Sequence, residues 1–377
     1  MNRWRILLAV FVIFFIRWVT LASPLPEGWR AESKIRLSAT ITQEVEYTDS
    51  QTIVRYGIWY IKIKGYHKII PSSRVEFVGQ VEPKWSMGKV VQIKMTDPVV
   101  VIANHTRCVG AFHTGCVVVA LGNWRERWVT TLQKTLPEPM ASLSAGILLG
   151  VKGQMPQDFY QALVDTGTLH IVAASGYNVS IVVTVLMKAL TGVVSRGIGI
   201  GFGVVGIIIY ILISGGSASV VRAGIMGSLT LIAYYFGRPA EARRVLWVTG
   251  AVMLIYNPLY IVDIGFQLSF VATAGLLYLE PWIKERGSTW FRPYEKVIGG
   301  YLADYLFPTL AATIATLPVI LWHFGRVSWI SPLVNILVLP VVPLIMLLSG
   351  LTLVGGQIMA LILYAPLAYM IWVIKLF

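Results

Sequence analysis

The 377-residue chain is 56% hydrophobic and only 13% charged, whereas soluble domains carry about 25% charged residues. This balance argues against a water-soluble globular protein and predicts a polytopic α-helical membrane protein. The net charge of +13 suits an anionic partner such as lipid headgroups or nucleic acid, and it also suits basic loops that set membrane topology. Two cysteines are too few for a disulfide-rich scaffold.

The chain begins with an apolar run at 6–21 that follows Arg3 and Arg5. Its length suits a signal peptide, but no clear small-residue cleavage site closes it, and Arg17 lies inside it. We therefore predict that residues 1–23 form an uncleaved membrane anchor with a cytoplasmic N-terminus.

Short runs within residues 24–125 alternate apolar and polar side chains, the pattern of half-buried strands. Gly and Pro residues separate these runs, which begin near Lys34, Thr52, Arg74 and Lys89. They predict a small extracytoplasmic β-barrel domain, with an OB-like fold as the leading candidate. Its basic character suits either contact with a nucleic-acid backbone or a structural plug with solvated charges.

The remaining residues, 126–377, are predicted to form the transmembrane channel domain. An amphipathic helix is expected at 124–136, and the apolar run at 140–150 is too short to cross, so it is predicted to be re-entrant or interfacial. Crossing a bilayer takes about 20 apolar residues per helix. This length predicts spans at 168–188, 197–214, 218–236, 245–262, 263–283, 299–322, 327–349 and 351–374.

Lys and Arg residues in the short loops indicate the orientation, because basic loops stay in the cytoplasm. One set of loops is 188–196, 237–244 and 284–298, and the alternate set is 214–217, 258–263 and 323–326. The first set holds nine Lys or Arg residues and the alternate set holds one. The first set is therefore predicted to be cytoplasmic, and residues 24–125 are predicted to lie outside the inner membrane.

Polar residues at membrane depth are costly to bury and often functional. The candidates are Arg222, Asp263, Asp304, His170, Ser175, Asn178, Gln267 and Ser269, with Lys152 flanking them. On the predicted topology Arg222, Asp263 and His170 lie near the outer face, which suits a vestibule that accepts a polar solute. Two alternatives stay open: snorkelling at the interface, or an Arg222–Asp263 ion pair that holds the helices together.

Small residues interrupt several apolar runs. Segments 173–176 and 214–219 are rich in Ala, Ser and Gly, and membrane helices break in this way where the backbone is buried in protein or lines a watery cavity. The Gly-rich run at 197–203 instead favours close helix packing. The two Ser- and Gly-containing breaks therefore support a pore.

Cys108 and Cys116 lie close to His105 and His113, an arrangement that resembles a zinc site. The segment is extracytoplasmic on the predicted topology, where disulfides persist. Of these two alternatives we favour a Cys108–Cys116 disulfide that closes a short hairpin. Both a disulfide and a zinc site would be structural.

No catalytic constellation stands out, since the sequence has no nucleophile elbow, Walker A loop or H-E-x-x-H motif. His170 and Ser175 are the only nearby pair, and residues five apart on a helix do not share a face well. A membrane-embedded enzyme is therefore not expected, and no cofactor or metal is predicted.

Three segments resemble motifs of the ComEC competence family, in the same order. Residues 167–182 read G-T-L-H-I-V-A-A-S-G-Y-N-V-S-I-V, similar to G-x-x-H-L-L-A-I-S-G-L-H-V-G-L-V. Residues 217–226 read S-A-S-V-V-R-A-G-I-M, similar to S-V-x-R-A-x-I-M. Residues 263–277 read D-I-G-F-Q-L-S-F-V-A-T-A-G-L-L, similar to D-x-G-F-Q-L-S-F-x-A-x-x-G-L. The resemblance extends weakly over 25–125, where the family carries an OB-like domain.

This resemblance implies an inner-membrane channel that passes single-stranded DNA into the cytoplasm during natural transformation. The motif positions carried over are His170, Ser175, Gly176, Arg222, Asp263, Gln267 and Ser269. Family analogy also implies a DNA receptor outside and an ATP-driven motor inside. The alternative is a transporter of another anionic solute on the same scaffold.

Two departures from the family pattern affect these expectations. Asn178 stands where the family more often has His, which puts a proton or phosphate role there in doubt. Many family members also continue into a metallo-β-lactamase-like domain, the proposed nuclease, whereas this sequence stops at Phe377. Degradation of the second strand is therefore expected to need another protein.

Overall fold

The computed structural model describes residues 34–40, 46–48, 51–56, 59–64, 74–83, 91–95, 100–103, 114–151, 155–172, 175–238, 240–291, 305–325 and 327–377. The strands belong to one unit, and a second, helical unit spans 128–253 and 263–377. Several predictions fall outside the described residues: the anchor at 1–23, Lys152, Asp304, Cys108 and its two neighbouring histidines.

The described strands form two antiparallel sheets. They are β1 Lys34–Thr40, β2 Glu46–Thr48, β3 Gln51–Tyr56, β4 Trp59–Lys64, β5 Arg74–Pro83, β6 Val91–Met95 and β7 Val100–Ala103. In one sheet β5 pairs with β1, β6 and β7, and in the other β3 lies between β2 and β4. Strands thus form where alternation predicted them, and the OB-like connection of the two sheets stays a prediction.

The helices follow the apolar runs of the sequence. They are α1 Thr114–Thr135, α2 Met140–Leu149, α3 Gln157–Asp165, α4 Leu169–Val172, α5 Gly176–Leu190, α6 Arg196–Ile213, α7 Ala218–Tyr235, α8 Ala242–Tyr256, α9 Ile264–Ala274, α10 Glu280–Phe291, α11 Phe307–Phe324, α12 Ser331–Val338 and α13 Val342–Leu376. A π-helical turn, Gly275–Leu279, joins α9 to α10, and short 3-10 turns lie at Pro258–Val262 and Leu339–Val341.

The end of α1 is amphipathic, as its sequence predicts. Val129 and Leu132 of α1 and Leu136 directly after it recur at helical spacing and are buried, whereas Trp124 of α1 is exposed. Pro137 follows directly and cannot continue the helix.

Helix α2 lies inside the helical unit. All of its residues are buried, and the Ser144 hydroxyl donates to the Ser349 hydroxyl of α13 at 2.8 Å. Every face of α2 is therefore covered by protein, and whether the run is re-entrant or interfacial stays a prediction.

Four helical segments of the described residues are long and apolar enough to cross a membrane. They are Arg196–Ile213, Ala218–Tyr235, Phe307–Phe324 and Ser331–Leu376, and they match the predicted spans at 197–214, 218–236, 299–322 and the pair 327–349 and 351–374. The longest segment bends at Gly356, whose φ of 57° and ψ of −136° suit glycine. The chain is a polytopic helical membrane protein.

The predicted span at 168–188 is not a continuous helix. Helix α4 ends at Val172 and α5 begins at Gly176, with Ser175 in extended backbone conformation between them. The small residues of this segment correctly indicated a break. The other small-residue segment forms the turn between α6 and α7, where Gly215 and Gly216 adopt positive φ.

Part of the Gly-rich run on α6 serves close packing, as predicted. A Cβ atom on Gly203 would lie 3.0 Å from Leu231 Cδ1 of α7, and one on Gly197 would lie 3.1 Å from the Tyr235 ring. A Cβ atom on Gly201 would meet nothing within 4 Å, so this residue does not contribute to the packing.

Candidate functional site

Arg222 lies in the second turn of α7 and is buried, with 5% of its surface exposed. Its Nε donates to the Ser269 hydroxyl of α9 at 3.0 Å, and its Nη1 contacts the Met226 sulfur at 3.3 Å. The sequence placed Arg222 and Ser269 on separate motifs, and the fold brings them into contact. Met226 was not among the predicted site residues, although it ends the same motif.

The charge of Arg222 has no counter-charge in the described part of the chain. No described carboxylate forms an ion pair with it, and its partners there are a neutral hydroxyl and a thioether. A buried cation without a paired anion is strongly unfavourable in an apolar surrounding. The described neighbours of this cation are thus neutral.

Asp263 does not neutralise Arg222, so the predicted alternative of an Arg222–Asp263 ion pair is wrong. Asp263 is the N-cap residue of α9, and its Oδ1 accepts a hydrogen bond from the Phe266 backbone N–H at 2.8 Å. An aspartate at this position satisfies an amide that has no partner within the helix. The carboxylate of Asp263 therefore caps the start of α9.

The first turn of α5 lies directly beside Arg222. A Cβ atom on Gly176 would lie 3.3 Å from Arg222 Nη2 and 3.3 Å from Ala223 Cβ. Glycine thus allows α5 to approach α7 closely at the point where α5 begins. The guanidinium thus lies between the first residue of α5 and Ser269 in the second turn of α9.

Asn178 holds the first turn of α5 in place. It is 1% exposed, its Nδ2 donates to the Ile147 carbonyl oxygen of α2 at 2.8 Å, and its Oδ1 accepts from the Ser175 hydroxyl at 3.2 Å. Both residues were predicted to be site residues. The contacts show them positioning the backbone next to Arg222.

The hydrogen bonds of Gln267 and His170 go to residues other than Arg222. The Nε2 of His323 on α11 donates to Gln267 Oε1 at 2.9 Å, and both residues lie on the same unit. His170 is exposed, and its Nδ1 donates to the Gly167 carbonyl oxygen at 3.0 Å. His323 was missed by sequence reasoning because it lies outside the three motifs.

The predicted disulfide and the alternative metal site both involve Cys116. Cys116 lies in the first turn of α1 and not in a hairpin, and its partner Cys108 is outside the described residues, so the disulfide stays a prediction. Among the described residues, no three His, Cys, Asp or Glu side chains are grouped so that they could hold a metal ion.

Comparisons with known proteins agree with the motifs that surround Arg222. The family model described as Competence protein matches residues 147–377, which is more than half of the chain. ComE operon protein 3 of Bacillus subtilis (strain 168) is 23% identical over 57% of this chain and 26% of its own length. No solved structure gave a significant match.

Two further relatives are uncharacterized. YcaI of Escherichia coli (strain K12) is 23% identical over 90% of this chain and 47% of its own length. A protein of Aquifex aeolicus (strain VF5) is 28% identical over 56% of this chain and 47% of its own length. The aligned part thus spans less than half of each curated relative. Because the family match covers all three motifs and the helices that carry them, this chain belongs to the competence protein family.

Proposed function

We propose that this chain forms a path by which single-stranded DNA crosses the inner membrane into the cytoplasm during natural transformation. Membership of the competence protein family supports a role in DNA uptake. The observation that carries the proposal is the buried Arg222 cation, which lies within an apolar helical unit without a described carboxylate partner.

A single strand of DNA supplies the negative charge that the described neighbours of Arg222 do not supply. Each nucleotide brings one negative phosphate, and the phosphate backbone dominates the affinity of proteins for nucleic acid. A guanidinium binds phosphate oxygens through charge-assisted hydrogen bonds. Since the contact involves backbone and not bases, a strand of any sequence is accepted.

The surroundings of Arg222 also support passage of a strand. Helix α5 begins at a break, and Ser175, Asn178 and Ser269 supply polar groups close to the guanidinium. Broken helices with polar neighbours occur in membrane proteins where the backbone lines an aqueous path. We include Gln267, His170, Asp263 and Lys152 in the proposed path as well.

The basic β-rich segment, residues 24–125, is proposed to lie outside the membrane and to guide the strand to this path. The N-terminus is proposed to be cytoplasmic, as the basic loops indicate. A DNA receptor outside and an ATP-driven motor inside are proposed partners. The chain acts as a translocation component without catalysis of its own.

A transformation assay with labelled DNA tests the proposal. A strain with a clean deletion of the gene is complemented with the wild type, Arg222→Gln or Lys375→Gln. Lys375 is an exposed cation that already pairs with Asp158 at 3.8 Å, so its removal is a matched change in charge. We expect the deletion to abolish uptake and Arg222→Gln to lower it at least about tenfold, since a hydrogen bond to a charged group contributes about 1.5–3 kcal/mol.

Lys375→Gln should restore uptake to the level of the wild type. Normal uptake of labelled DNA by the deletion strain would refute the proposal and would favour transport of another anionic solute. Protein amounts in the membrane fraction are measured by immunoblot, so that a loss of uptake is compared at equal expression.

A further inference from the structure

We propose that the surface formed by Arg243, Trp247 and Tyr278 binds the headgroup of an anionic phospholipid, while an acyl chain of the same lipid lies along the exposed face of α8. The proposal requires only that the helical unit lies in a membrane. It does not depend on DNA as the transported solute, so it goes beyond the proposed function.

The three residues come from two elements that meet at one end of the helical unit. Arg243 and Trp247 lie one turn apart near the start of α8, and Tyr278 belongs to the π-helical turn, a feature that is frequent at functional sites. Arg243 Nε donates to the Leu277 carbonyl oxygen at 3.3 Å, and the guanidinium carbon lies 4.9 Å from the centre of the Tyr278 ring. The Trp247 Nε1 donates to the Tyr278 hydroxyl at 3.0 Å. These contacts hold the three side chains together.

The same contacts leave hydrogen-bond donors unused. The two Nη groups of Arg243 make no hydrogen bond within the described part of the chain, and no described carboxylate forms an ion pair with this arginine. The Tyr278 hydroxyl accepts from Trp247, so its own proton has no acceptor among the described residues. A guanidinium and a phenol hydroxyl both donate to phosphate oxygens. One headgroup phosphate can therefore accept from both residues.

The surface is open, so a headgroup reaches it without movement of the protein. Arg243 is exposed, and Trp247 and Tyr278 are each about half exposed. Val248 and Val252 continue the exposed face of α8. Since an α-helix rises about 1.5 Å per residue, Val252 lies about 14 Å further along the axis than Arg243. A phosphate at Arg243 thus places an acyl chain beside an apolar strip of similar direction.

The surrounding cations and aromatic rings favour a lipid as the partner. Arg196 lies over the Tyr234 ring at 4.0 Å, and Arg286 lies over the Trp282 ring at 4.3 Å. Aromatic residues are common where helices leave the membrane, and basic pockets between helices bind anionic headgroups. A nucleic acid would match the cations but would leave the apolar face of α8 uncovered. A phospholipid matches both.

Native mass spectrometry of the purified full chain tests the proposal. It measures binding of dioleoyl phosphatidylglycerol and dioleoyl phosphatidylcholine. Both lipids carry a phosphodiester, but only phosphatidylcholine carries a compensating cation. We expect the wild type to bind phosphatidylglycerol more tightly, and Arg243→Gln to reduce this preference about fivefold, the typical contribution of one basic residue at a membrane surface.

Three further variants make the test specific. Tyr278→Phe retains the ring and removes the hydroxyl, so it should weaken binding of both lipids about threefold or more without changing the preference. Arg243→Lys retains the charge and should retain most of the preference. The matched control is Arg244→Gln, which removes an exposed arginine that already pairs with Glu241, and it should leave binding unchanged.

Four results would overturn the proposal. One is an equal preference in the wild type and Arg243→Gln, and another is an equal loss in Arg243→Gln and Arg244→Gln, because a diffuse field of charge would then explain the binding. A third is weaker binding of fluorescein-labelled oligothymidylate to Arg243→Gln, measured by anisotropy, with the lipid preference unchanged, because the partner would then be a nucleic acid. The fourth is unchanged binding of both lipids to Tyr278→Phe, which refutes the surface even if Arg243→Gln aggregates.

Discussion

Asn178 on α5 donates a hydrogen bond from Nδ2 to the backbone carbonyl oxygen of Ile147 on α2, at 2.8 Å. Helix α2 is buried along its whole length, so this bond attaches the start of α5 to the most enclosed helix that the structure describes. Position 178 is where the ComEC motif more often has His, and here the amide has a clear structural use. The placement of the turn that faces Arg222 depends on it.

Replacing this amide should therefore destabilise the helical unit. We expect Asn178→Leu to lower the free energy of unfolding by about 1–3 kcal/mol, because the buried Ile147 carbonyl oxygen and the half-buried Ser175 hydroxyl each lose their Asn178 partner. The measurement is the midpoint of thermal unfolding in nanodiscs, followed by tryptophan fluorescence. Ser180→Ala is the control, since the Ser180 hydroxyl is exposed and bonds only to its own helix. Equal midpoints for the two variants would contradict the role assigned to Asn178.

Gly275 determines how closely the π-helical turn after α9 packs against α11. A Cβ atom at this position would lie 2.6 Å from Ala315 Cβ and 2.8 Å from the Ala311 carbonyl oxygen, and neither atom belongs to a flexible side chain. Gly275→Ala should therefore push the helices apart and cost about 1–3 kcal/mol of stability.

The matched control for this change is Gly350→Ala, because a Cβ atom on Gly350 would meet nothing within 4 Å. Both variants add one methyl group to a membrane helix, and only the first adds it to a close contact. We expect a lower unfolding midpoint for Gly275→Ala alone. A similar decrease for both would contradict the packing role of Gly275, because alanine at an unhindered helical position stabilises the helix relative to glycine.

The proposed topology predicts opposite labelling of two exposed aromatic positions. Phe236 follows α7 beside a loop with three arginines, and Phe324 ends α11 beside a loop with one. In a background with Cys108→Ser and Cys116→Ser, a membrane-impermeant maleimide should label Phe324→Cys in spheroplasts. It should label Phe236→Cys only after the membrane is opened.

Labelling of Phe236→Cys in sealed spheroplasts would reverse the orientation and would place residues 24–125 in the cytoplasm. The same outcome would put the Arg222 site at the cytoplasmic end of the path. Labelling of neither position before permeabilisation would contradict the predicted outer loop at 323–326.

Local sequence patterns predicted the elements well and the contacts poorly. The apolar runs predicted α6 and α7 almost to their ends, and the small residues near Ser175 predicted a broken helix. The charge of Asp263 suggested an ion pair, but the fold uses its carboxylate to cap α9. An aspartate before an apolar helix serves either role, and only its neighbours in space decide between them.

By itself, the sequence determined that this is a polytopic helical membrane protein with three motifs in a given order. Helix length and apolar periodicity depend on residues three or four positions apart, so they can be read along the chain. Only the tertiary structure decided that Arg222 meets Ser269, 47 residues away, and that the start of α5 lies against its guanidinium. Such contacts depend on how separate helices pack together, and no local pattern reveals which side chains surround this buried arginine.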